Sequence, residues 1–264
     1  MSYRLTILGC GSSGGVPRIG NDWGQCDPTN PKNRRRRCAA LIERRAREGA
    51  TTVLVDTGPD IREQLLAVRL GHLDGVLFTH DHADHTHGLD DLRVMAYRMK
   101  KRIDVWFDPA TRDNLVPRFN YCFVQPEGRS YPPIFTPHDV HFGTPIVIEG
   151  AGGAVTALPV AQDHGEIASV GYRFGDVAYS PDISGLSEQS IEMLRGLDVW
   201  IVDALRYIPH PSHFTVKQAL AWIERLKPQR AILTHLHVDL DYEVLRRELP
   251  AHVTPAYDGM TLEW

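Results

Sequence analysis

The sequence predicts an α/β fold in which two β-sheets pack against each other and helices cover the outside. Short β-rich runs alternate with segments whose apolar residues recur at helical spacing. Strands followed by helices occur in two successive rounds along the chain, which favours two packed sheets. The 264 residues, 42% hydrophobic and 23% charged, are enough for one large α/β domain or two small ones. No repeat or linker divides the chain, and we expect a single domain over residues 1–264.

Periodicity and turn residues place the individual elements. The predicted strands are Arg4–Leu8, Ala39–Glu43, Thr52–Asp56, Gly75–Thr79, Ile103–Phe107, Val155–Pro159, Ser169–Phe174, Val177–Ser180, Val199–Asp203 and Arg230–Thr234. The predicted helices are Asp60–Arg69, Gly88–Met99, Thr111–Tyr121, Ser187–Leu194, Thr215–Leu226 and Tyr242–Leu249. Ser187 and Thr215 are suitable N-cap residues for two of these helices. Residues 121–153 are rich in Pro and Gly with little periodicity, and they are predicted to be a loop insertion.

Charge and composition exclude several classes of partner. The net charge of -4 gives no overall attraction to nucleic acid or to an anionic membrane. No apolar run approaches the ~20 residues that span a bilayer, and the N-terminus lacks a signal-peptide pattern. These features predict a cytoplasmic protein without a membrane partner. The basic run Arg34–Arg37 is either a solvated loop or a phosphate-binding rim.

Polar clusters follow directly on five of the predicted strands. They begin with His80, Asp163-His164, Asp182, Asp203 and His235. Because neighbouring strand ends lie along one edge of an α/β sheet, residues distant in sequence are expected to converge there.

The first cluster, His80-Asp81-His82-Ala83-Asp84-His85, contains three His and two Asp within six residues. His80 and His82 can present their imidazoles on one side, while Asp84 and His85 turn towards the next helix. Imidazole and carboxylate ligands suit zinc, manganese or iron, so this pattern indicates two adjacent metal ions rather than a solvated turn. None of the four cysteines forms a C-x-x-C pair, which disfavours a Cys-rich structural zinc site.

The cluster resembles the signature of the metallo-β-lactamase superfamily, and the family's other positions occur in the same order at Val55-Asp56-Thr57-Gly58, His164, Asp182 and His235. Within the superfamily the chain resembles the PhnP-like phosphodiesterases, in Gly9-Cys10-Gly11-Ser12-Ser13-Gly14-Gly15-Val16-Pro17, Ser180-Pro181-Asp182-Ile183-Ser184-Gly185-Leu186 and Tyr257-Asp258-Gly259-Met260. The resemblance spans nearly the whole chain and implies a four-layer αββα sandwich of the metallo-β-lactamase type.

The resemblance also implies roles for individual residues. One metal is expected on His80, His82 and His164. The other is expected on Asp84, His85 and His235, and Asp182 is expected to bridge the two. The ions, Mn²⁺ or Zn²⁺, would share a hydroxide that acts as nucleophile. The predicted catalytic residues are Asp84 and His213, with His213, favoured over His210, as the acid that protonates the leaving group.

Several supporting positions have more than one interpretation. Asp203 either orients the imidazole of His213 or holds a nearby loop. Asp56 and Asp258 either hydrogen-bond to metal ligands or form turns beside Gly. The Gly9–Gly15 loop is either an anion-binding nest or a plain tight turn. Cys26 stands alone in its region, so no third, structural metal site is predicted.

These observations favour a metal-dependent phosphodiesterase that hydrolyses a small phosphodiester, such as a cyclic nucleotide or a cyclic sugar phosphate. One alternative is an endoribonuclease of the tRNA 3′-processing type, although Tyr121–Gly153 is not the basic arm that such enzymes present. The other alternative is a metal-binding protein without catalytic activity. A large nucleic acid is not the expected partner, and the sequence leaves the oligomeric state open, a homodimer included.

Overall fold

The structure, a computed structural model, describes residues 2–125, 127–128 and 130–264. Its strands form two sheets of seven. The strands of the first sheet are β1 (Ser2–Gly9), β2 (Ala39–Ala46), β3 (Gly49–Val55), β4 (Gly75–Leu77), β5 (Ile103–Phe107), β6 (Phe135–Asp139) and, from the end of the chain, β14 (Thr261–Glu263). Those of the second are β7 (Ile146–Ile148), β8 (Val155–His164), β9 (Ile167–Phe174), β10 (Val177–Ser180), β11 (Val199–Asp203), β12 (Arg230–Thr234) and β13 (Val253–Pro255).

The structure describes eight helices, most of which lie on the outer faces of the two sheets. They are α1 (Ile61–Ala67), α2 (Ala83–Thr86), α3 (Arg93–Met99), α4 (Pro109–Arg118), α5 (Asn120–Phe123), α6 (Glu188–Met193), α7 (Val216–Leu226) and α8 (Tyr242–Glu248). Two short 3-10 turns, Pro31–Asn33 and Leu89–Leu92, accompany them. In the described part of the chain, no helix combines the length and the apolar character needed to cross a membrane.

Both sheets combine antiparallel and parallel pairing. The first runs in the order β14-β1-β2-β3-β4-β5-β6, with parallel pairing from β3 to β6. The second runs β13-β12-β11-β10-β9-β8-β7, with parallel pairing from β10 to β13. The carboxyl ends of the parallel strands therefore share one edge in each sheet.

Alternation along the central strands creates three apolar layers. In β3, Val53 and Val55 pack between the two sheets, whereas Leu54 packs under the outer helices. In β11, Ile201 faces the space between the sheets and Trp200 faces the helices on the opposite side. Successive strand residues point to opposite faces, so each sheet needs a cover on both sides. This arrangement confirms the predicted αββα sandwich.

The predicted N-caps of two helices are confirmed. The Ser187 hydroxyl accepts a hydrogen bond from the Ser190 amide at the start of α6. The Thr215 hydroxyl does the same for the amide of Gln218, whose side chain accepts from the Thr215 amide in a complete capping box. The second cap fixes the entry of α7 directly after the segment that carries His213.

The prediction of a loop over residues 121–153 is wrong in its local structure. The segment contains most of α5 and the strands β6 and β7. The strands β13 and β14 were also not predicted. All four missed strands are the outermost strands of the two sheets. Three of them have only three residues, and β6 contains Pro137, which is tolerated at a sheet edge.

Candidate metal centre

The polar clusters that follow the strands converge between the two sheets, around the side chain of Asp182. Asp182 Oδ2 lies 3.8 Å from His80 Nε2, 3.7 Å from His164 Nε2 and 3.6 Å from His235 Nε2. Its other oxygen, Oδ1, lies 3.1 Å from His85 Nε2. His80 and His85 lie in the segment that follows β4 of the first sheet. His164 ends β8 of the second sheet, and Asp182 and His235 follow its strands β10 and β12. The centre therefore depends on the packing of both sheets.

Two groups of side chains in this centre have the composition expected for metal ligands. The ligand atoms of His80, His82 and His164 lie within 4.8 Å of one another, as do those of the set Asp84, His85 and His235. Within the first group, His164 Nε2 is 3.3 Å from His82 Nδ1. The structure thus brings together all seven side chains for which the sequence predicted metal binding.

Five buried polar atoms at this centre have no hydrogen-bond partner among the described residues. These atoms are His80 Nε2, His85 Nε2, Asp182 Oδ1 and both ring nitrogens of His235. An unsatisfied buried polar atom costs about 1–3 kcal/mol, and the concentration of several at one point indicates a site that binds a ligand. Nitrogen and oxygen donors without cysteine fit a divalent transition-metal ion. The donor set therefore fits the metal that the sequence predicts.

Two residues at the centre adopt left-handed backbone conformations, which residues other than Gly rarely do. Asp56 has φ 64° and His235 has φ 58°. Such conformations cost about 1–3 kcal/mol and persist where the surrounding structure imposes them, which is common at functional sites. Here they direct the two side chains into the space between the sheets, where both are buried.

Asp56 holds the imidazole of His85 in place. His85 Nδ1 donates to Asp56 Oδ2 over 2.7 Å. The amide of Thr79 donates to Asp56 Oδ1 over 2.8 Å, and the Thr79 hydroxyl donates to Oδ2 over 2.9 Å. Because Nδ1 carries the proton, Nε2 of His85 is left to face Asp84 and Asp182. Of the two interpretations of Asp56, the structure supports the one in which it orients a metal-site histidine.

His164 is oriented in the same way by the backbone. Its Nδ1 donates to the carbonyl oxygen of Ser212 over 2.7 Å, which turns Nε2 towards Asp182. The sequence analysis missed both Thr79 and Ser212 as supporting residues. Thr79 directly precedes the histidine cluster and could have been found from that position. The carbonyl of Ser212 carries no sequence signal, because any residue type supplies one.

Burial and charge set the protonation of the histidines. Burial lowers the pKa of His80 well below its usual value and that of His164 to about 4, which keeps both imidazoles neutral. At His85, burial also lowers the pKa, but Asp182, Asp84 and Asp56 outweigh it and raise the pKa well above the usual range. Neutral imidazoles and ionised carboxylates are the forms that bind metals, and metal binding at His85 displaces a proton.

His213 lies beside the metal-binding groups, with one ring nitrogen fixed and the other facing the centre. Its Nδ1 donates to Asp203 Oδ2 over 2.7 Å, and its Nε2 is 3.8 Å from Asp182 Oδ2. The ring stacks on that of His235 with centroids 4.5 Å apart. His210 lies further out, with its ring centroid 5.0 Å from that of His213. Of the two candidates, His213 is the one that reaches the centre.

Asp203 fulfils both of the roles considered for it. The oxygen that accepts from His213 Nδ1 also accepts from the amide of Ile183, over 3.2 Å. One buried carboxylate thus orients the imidazole and holds the segment after Asp182.

The histidine cluster after β4 is held by Arg118. The guanidinium of Arg118 donates to the carbonyl and to the carboxylate of Asp81, each over 3.0 Å, and so fixes the start of the cluster.

Asp258 does not contact any of the predicted metal ligands, which corrects one of its two interpretations. Its Oδ2 accepts from the amide and the Nε of Arg36, over 2.9 and 3.0 Å. Its Oδ1 accepts from the Cys10 amide over 3.1 Å. This carboxylate therefore links the segment before β14 to the connection between β1 and β2, and it lies outside the metal centre.

The basic run Arg34–Arg37 is not a solvated loop. Arg35 is 1% exposed, and its guanidinium donates to the carbonyls of His237 and Leu240. Arg36 pairs with Asp258, and Arg37 pairs with Asp60 over 2.8 Å. Three of these arginines are thus used within the fold, and the prediction of a solvated run is wrong.

Several amides of the Gly9–Gly15 loop are used in hydrogen bonds within the fold. The amides of Gly11, Ser12 and Gly15 donate to backbone carbonyls, those of Arg36, Leu236 and Ser12. Cys26, nearby in the fold, is buried against the carbonyls of Val238 and Leu240.

Asp56→Asn is expected to weaken metal binding about 10–100-fold, the usual effect of losing a hydrogen-bond partner of a metal ligand. Asparagine keeps the shape of the side chain and tolerates the left-handed backbone. However, the three donors, His85 Nδ1 and the amide and hydroxyl of Thr79, use both oxygens of the Asp56 carboxylate, and asparagine has only one oxygen to accept them. Metal affinity is measured by competition with a chelator. Asp163→Asn is the control, because that exposed carboxylate makes no hydrogen bond to a ligand. Equal affinity of the Asp56 variant and the unsubstituted protein would contradict the assignment.

Two packed mixed sheets with a buried His/Asp centre between them define the class of metal-dependent hydrolases built on a four-layer sandwich. A family model described as the beta-lactamase superfamily domain matches residues 51–236, and the chain belongs to this family. The match includes all seven predicted metal ligands. The chain is therefore a hydrolase of this superfamily with a site for divalent metal ions.

Solved structures place the chain within the superfamily. It is similar to a diphosphatase of the PhnP family, with 37% identity and a TM-score of 0.89 over 100% of this chain and 98% of that one. This similarity confirms the predicted resemblance to PhnP-like proteins. The short form of human tRNase Z has the same fold, with a TM-score of 0.62 and 19% identity over 98% of each chain.

One curated relative is named as a transferase and not as a hydrolase. The chain is 31% identical over 262 residues to an octanoyltransferase of Porphyromonas gingivalis. The match covers 97% of this chain but 51% of that protein, so the chain spans about half the length of the curated relative.

Proposed function

We propose that this protein is a dinuclear metal-dependent phosphodiesterase that hydrolyses a small phosphodiester, such as a cyclic nucleotide or a cyclic sugar phosphate. The observation that supports the proposal most directly is the position of His213. Its Nε2 faces the metal-binding groups, and its Nδ1 is held by Asp203. Hydrolysis of an unactivated diester needs a positioned acid at this place.

The proposed ligands divide into two sets that share Asp182. His80, His82 and His164 would hold one ion. The second ion would be held by Asp84, His85 and His235. A shared carboxylate offsets the repulsion between two dications, and Zn²⁺ and Mn²⁺ both accept these donors. When bound, such ions polarise phosphoryl oxygens and lower the pKa of a coordinated water towards neutrality. Because both sheets supply ligands, we also propose that residues 1–264 act as one hydrolase domain.

His213 would supply the proton that the leaving group needs. When the bond between phosphorus and the leaving oxygen breaks, that oxygen departs as an alkoxide and takes a proton. With Nδ1–H held by the carboxylate of Asp203, Nε2 is the ring atom of His213 that can deliver this proton. By accepting from Nδ1, Asp203 keeps the ring from rotating and directs Nε2 towards the centre. The mechanism therefore assigns proton delivery to His213 and orientation to Asp203.

The similarity to a diphosphatase supports phosphoryl chemistry, because a phosphoric anhydride and a phosphodiester both lose an oxygen leaving group from phosphorus. The fold shared with a tRNase Z makes an endoribonuclease the second candidate. Against it, the described part of residues 121–153 contributes α5, β6 and β7 to the fold rather than a separate basic arm. A metal-binding protein without turnover is the third candidate.

The octanoyltransferase name belongs to a protein about twice as long, and we do not propose acyl transfer for this chain. Acyl transfer through a thioester intermediate needs an accessible thiolate. All four cysteines are buried, and burial raises the pKa of each. Free buried thiols are also compatible with a reducing compartment, and we propose a cytoplasmic location.

The proposal is tested with protein that has been stripped of metal and reloaded with Mn²⁺ or Zn²⁺. We expect about two ions per chain by elemental analysis. We also expect turnover of 2′,3′-cyclic AMP or a cyclic sugar phosphate at catalytic enzyme concentration, with little cleavage of precursor tRNA. Preferential cleavage of the tRNA would favour the endoribonuclease. Stoichiometric metal without turnover of any phosphodiester would favour the binding protein.

A further inference from the structure

A groove lies between helices α1 and α3, on the outer side of the first sheet. Its volume is about 620 Å³, and residues of both helices and of the segment after α1 line it. The inner sides of the two helices pack on the first sheet, whereas the metal centre lies between the two sheets. The groove is therefore a separate surface, here called the α1–α3 groove, with an apolar lining made of Leu65, Leu66, Leu70, Val94 and Met95.

The apolar lining has a buried floor and exposed sides. Leu65 and Met95 are buried and belong to the core beneath the helices. Leu66 and Val94, in contrast, are 57% and 65% exposed. Apolar side chains that are grouped in a concave surface indicate a contact site for another molecule. The α1–α3 groove is thus shaped to receive the apolar side chains of a partner.

Positive charge borders this apolar lining. Arg62, Arg69 and Arg98 line the groove, and Asp91 is the one carboxylate among its described lining residues. Arg62 pairs with Glu63. In the part of the chain that the structure describes, the guanidinium groups of Arg69 and Arg98 form no ion pair and no hydrogen bond. In a chain with a net charge of -4, the border of the groove is a local excess of positive charge.

The end of α1 fixes the backbone position of Arg69. The amide of Arg69 donates to the carbonyl of Leu66 over 3.1 Å, and the amide of Leu70 donates to that of Leu65 over 3.0 Å. These two hydrogen bonds form a Schellman motif, in which Arg69 has a left-handed φ of 54°. Lys100, at the end of α3, has φ 51°. Both helices therefore end in a basic residue where glycine is the favoured residue type.

We propose that the α1–α3 groove binds an acidic amphipathic helix of a partner protein. The apolar stripe of such a helix, at positions i, i+3, i+4 and i+7, would pack on Leu66 and Val94 and cover the floor between them. Its carboxylates would face Arg69 and Arg98, whose charge favours an acidic partner over a basic one. None of these residues is a proposed metal ligand, so the inference goes beyond the proposed function.

The origin of the lining residues favours a helix over other occupants. They come from helices and connecting segments and not from a sheet edge, so an extended peptide would find no strand to pair with. A concave apolar surface between two helices accepts the ridge of a third helix, whereas a flat lipid surface would not reach its floor.

The test uses a synthetic helical peptide as the probe. It has about 15 residues, or four helical turns, with leucines at i, i+3, i+4 and i+7 and glutamates beside them. A second peptide carries lysines in place of the glutamates. Binding of each labelled peptide to the metal-loaded protein is measured by fluorescence anisotropy. We expect a micromolar dissociation constant for the glutamate peptide, at least about 10-fold below that of the lysine peptide. Absence of binding, or a preference for the lysine peptide, would overturn the proposal.

Gly71→Trp blocks the groove without disturbing the packing around it. Gly71 lines the groove, and a Cβ added there meets no atom within 4 Å. We expect this variant to lose binding of the glutamate peptide and to keep its metal content and its thermal unfolding temperature. Unchanged affinity for the peptide would show that it binds elsewhere.

Reversing the charge at the border tests the electrostatic part of the proposal. In the double variant Arg69→Glu with Arg98→Glu, we expect the dissociation constant of the glutamate peptide to rise at least about 10-fold. Arg47→Glu with Arg230→Glu is the matched control, because both arginines are exposed, form no ion pair among the described residues and lie outside the groove. Equal effects of the two double variants would reduce the attraction to net charge and refute the proposal.

Two other occupants would give different results. Binding to vesicles of phosphatidylcholine and phosphatidylserine is measured by flotation, and the oligomeric state is measured by sedimentation velocity. We expect Gly71→Trp to change neither. Vesicle binding that this variant abolishes would make an anionic lipid surface the occupant. An oligomer that this variant dissociates would make a second copy of the chain the occupant, and either result would overturn the proposal.

Discussion

His213→Ala is expected to lower kcat for an unactivated phosphodiester by about 10²–10⁴-fold, the range for loss of a positioned acid. The alanine variant loses the ring whose Nδ1 is bound to Asp203 and whose Nε2 faces Asp182. The metal content should stay the same, because each proposed ion keeps its own ligands. The measurements are kcat for a cyclic phosphate and elemental analysis of the same sample.

The choice of leaving group makes this experiment specific for proton donation. A p-nitrophenyl group leaves as a stable anion and needs little protonation, so hydrolysis of bis-p-nitrophenyl phosphate should fall much less than hydrolysis of a cyclic phosphate. His72→Ala is the matched control, since His72 also pairs with a carboxylate, Asp74, over 2.7 Å, but lies at the other end of the first sheet and is 55% exposed. Normal hydrolysis of unactivated diesters by the His213 variant would refute the assignment.

Asp182→Ala is expected to remove at least one of the two metal ions and to lower hydrolysis of every phosphodiester by at least about 10³-fold. Asp182 lies within 3.8 Å of Nε2 of four proposed histidine ligands and of His213, and it is the residue proposed to join the two ions. A metal ion contributes several kcal/mol of charge stabilisation in the transition state, and each 1.36 kcal/mol corresponds to about a factor of ten. Metal content and kcat are measured together.

Removing a buried carboxylate can also weaken the fold, so a second variant is needed. Asp182→Asn keeps the volume of the side chain and the hydrogen bond from the Ser169 hydroxyl to the backbone carbonyl of residue 182, over 2.6 Å. It should be as well folded as the unsubstituted protein by thermal unfolding and still bind less metal. Full metal content and normal kcat in this variant would show that Asp182 does not bridge the ions.

The central strands were predictable because their signals are local. Strands β10, β11 and β12 are mainly apolar and buried on both faces along nearly their whole length, and their predicted bounds match the structure. The four strands at the sheet edges were missed, since a short strand with one neighbour needs little apolar patterning. Their position depends on hydrogen bonds to a partner strand, which the local sequence does not encode.

The sequence by itself determined which residue types follow the strands of the sandwich, and therefore the chemistry of the centre. A strand followed by His or Asp is a local pattern, and strand ends in an α/β sheet meet at one edge, so these side chains could be expected to converge. The resemblance to the metallo-β-lactamase superfamily then identified which seven residues are the predicted ligands. That step needed no knowledge of distances.

Only the tertiary structure decided what the supporting residues do. In the folded chain, His213 and not His210 contacts the centre, and Asp258 pairs with Arg36. The guanidinium of Arg35 is buried against the carbonyls of His237 and Leu240, which lie 202 and 205 positions further along the sequence. The physical reason is that a hydrogen bond depends on an atom being within about 3 Å, and its partner can be any residue or any backbone carbonyl. Such partners leave no periodic pattern in the chain, and they become visible once the two sheets pack together.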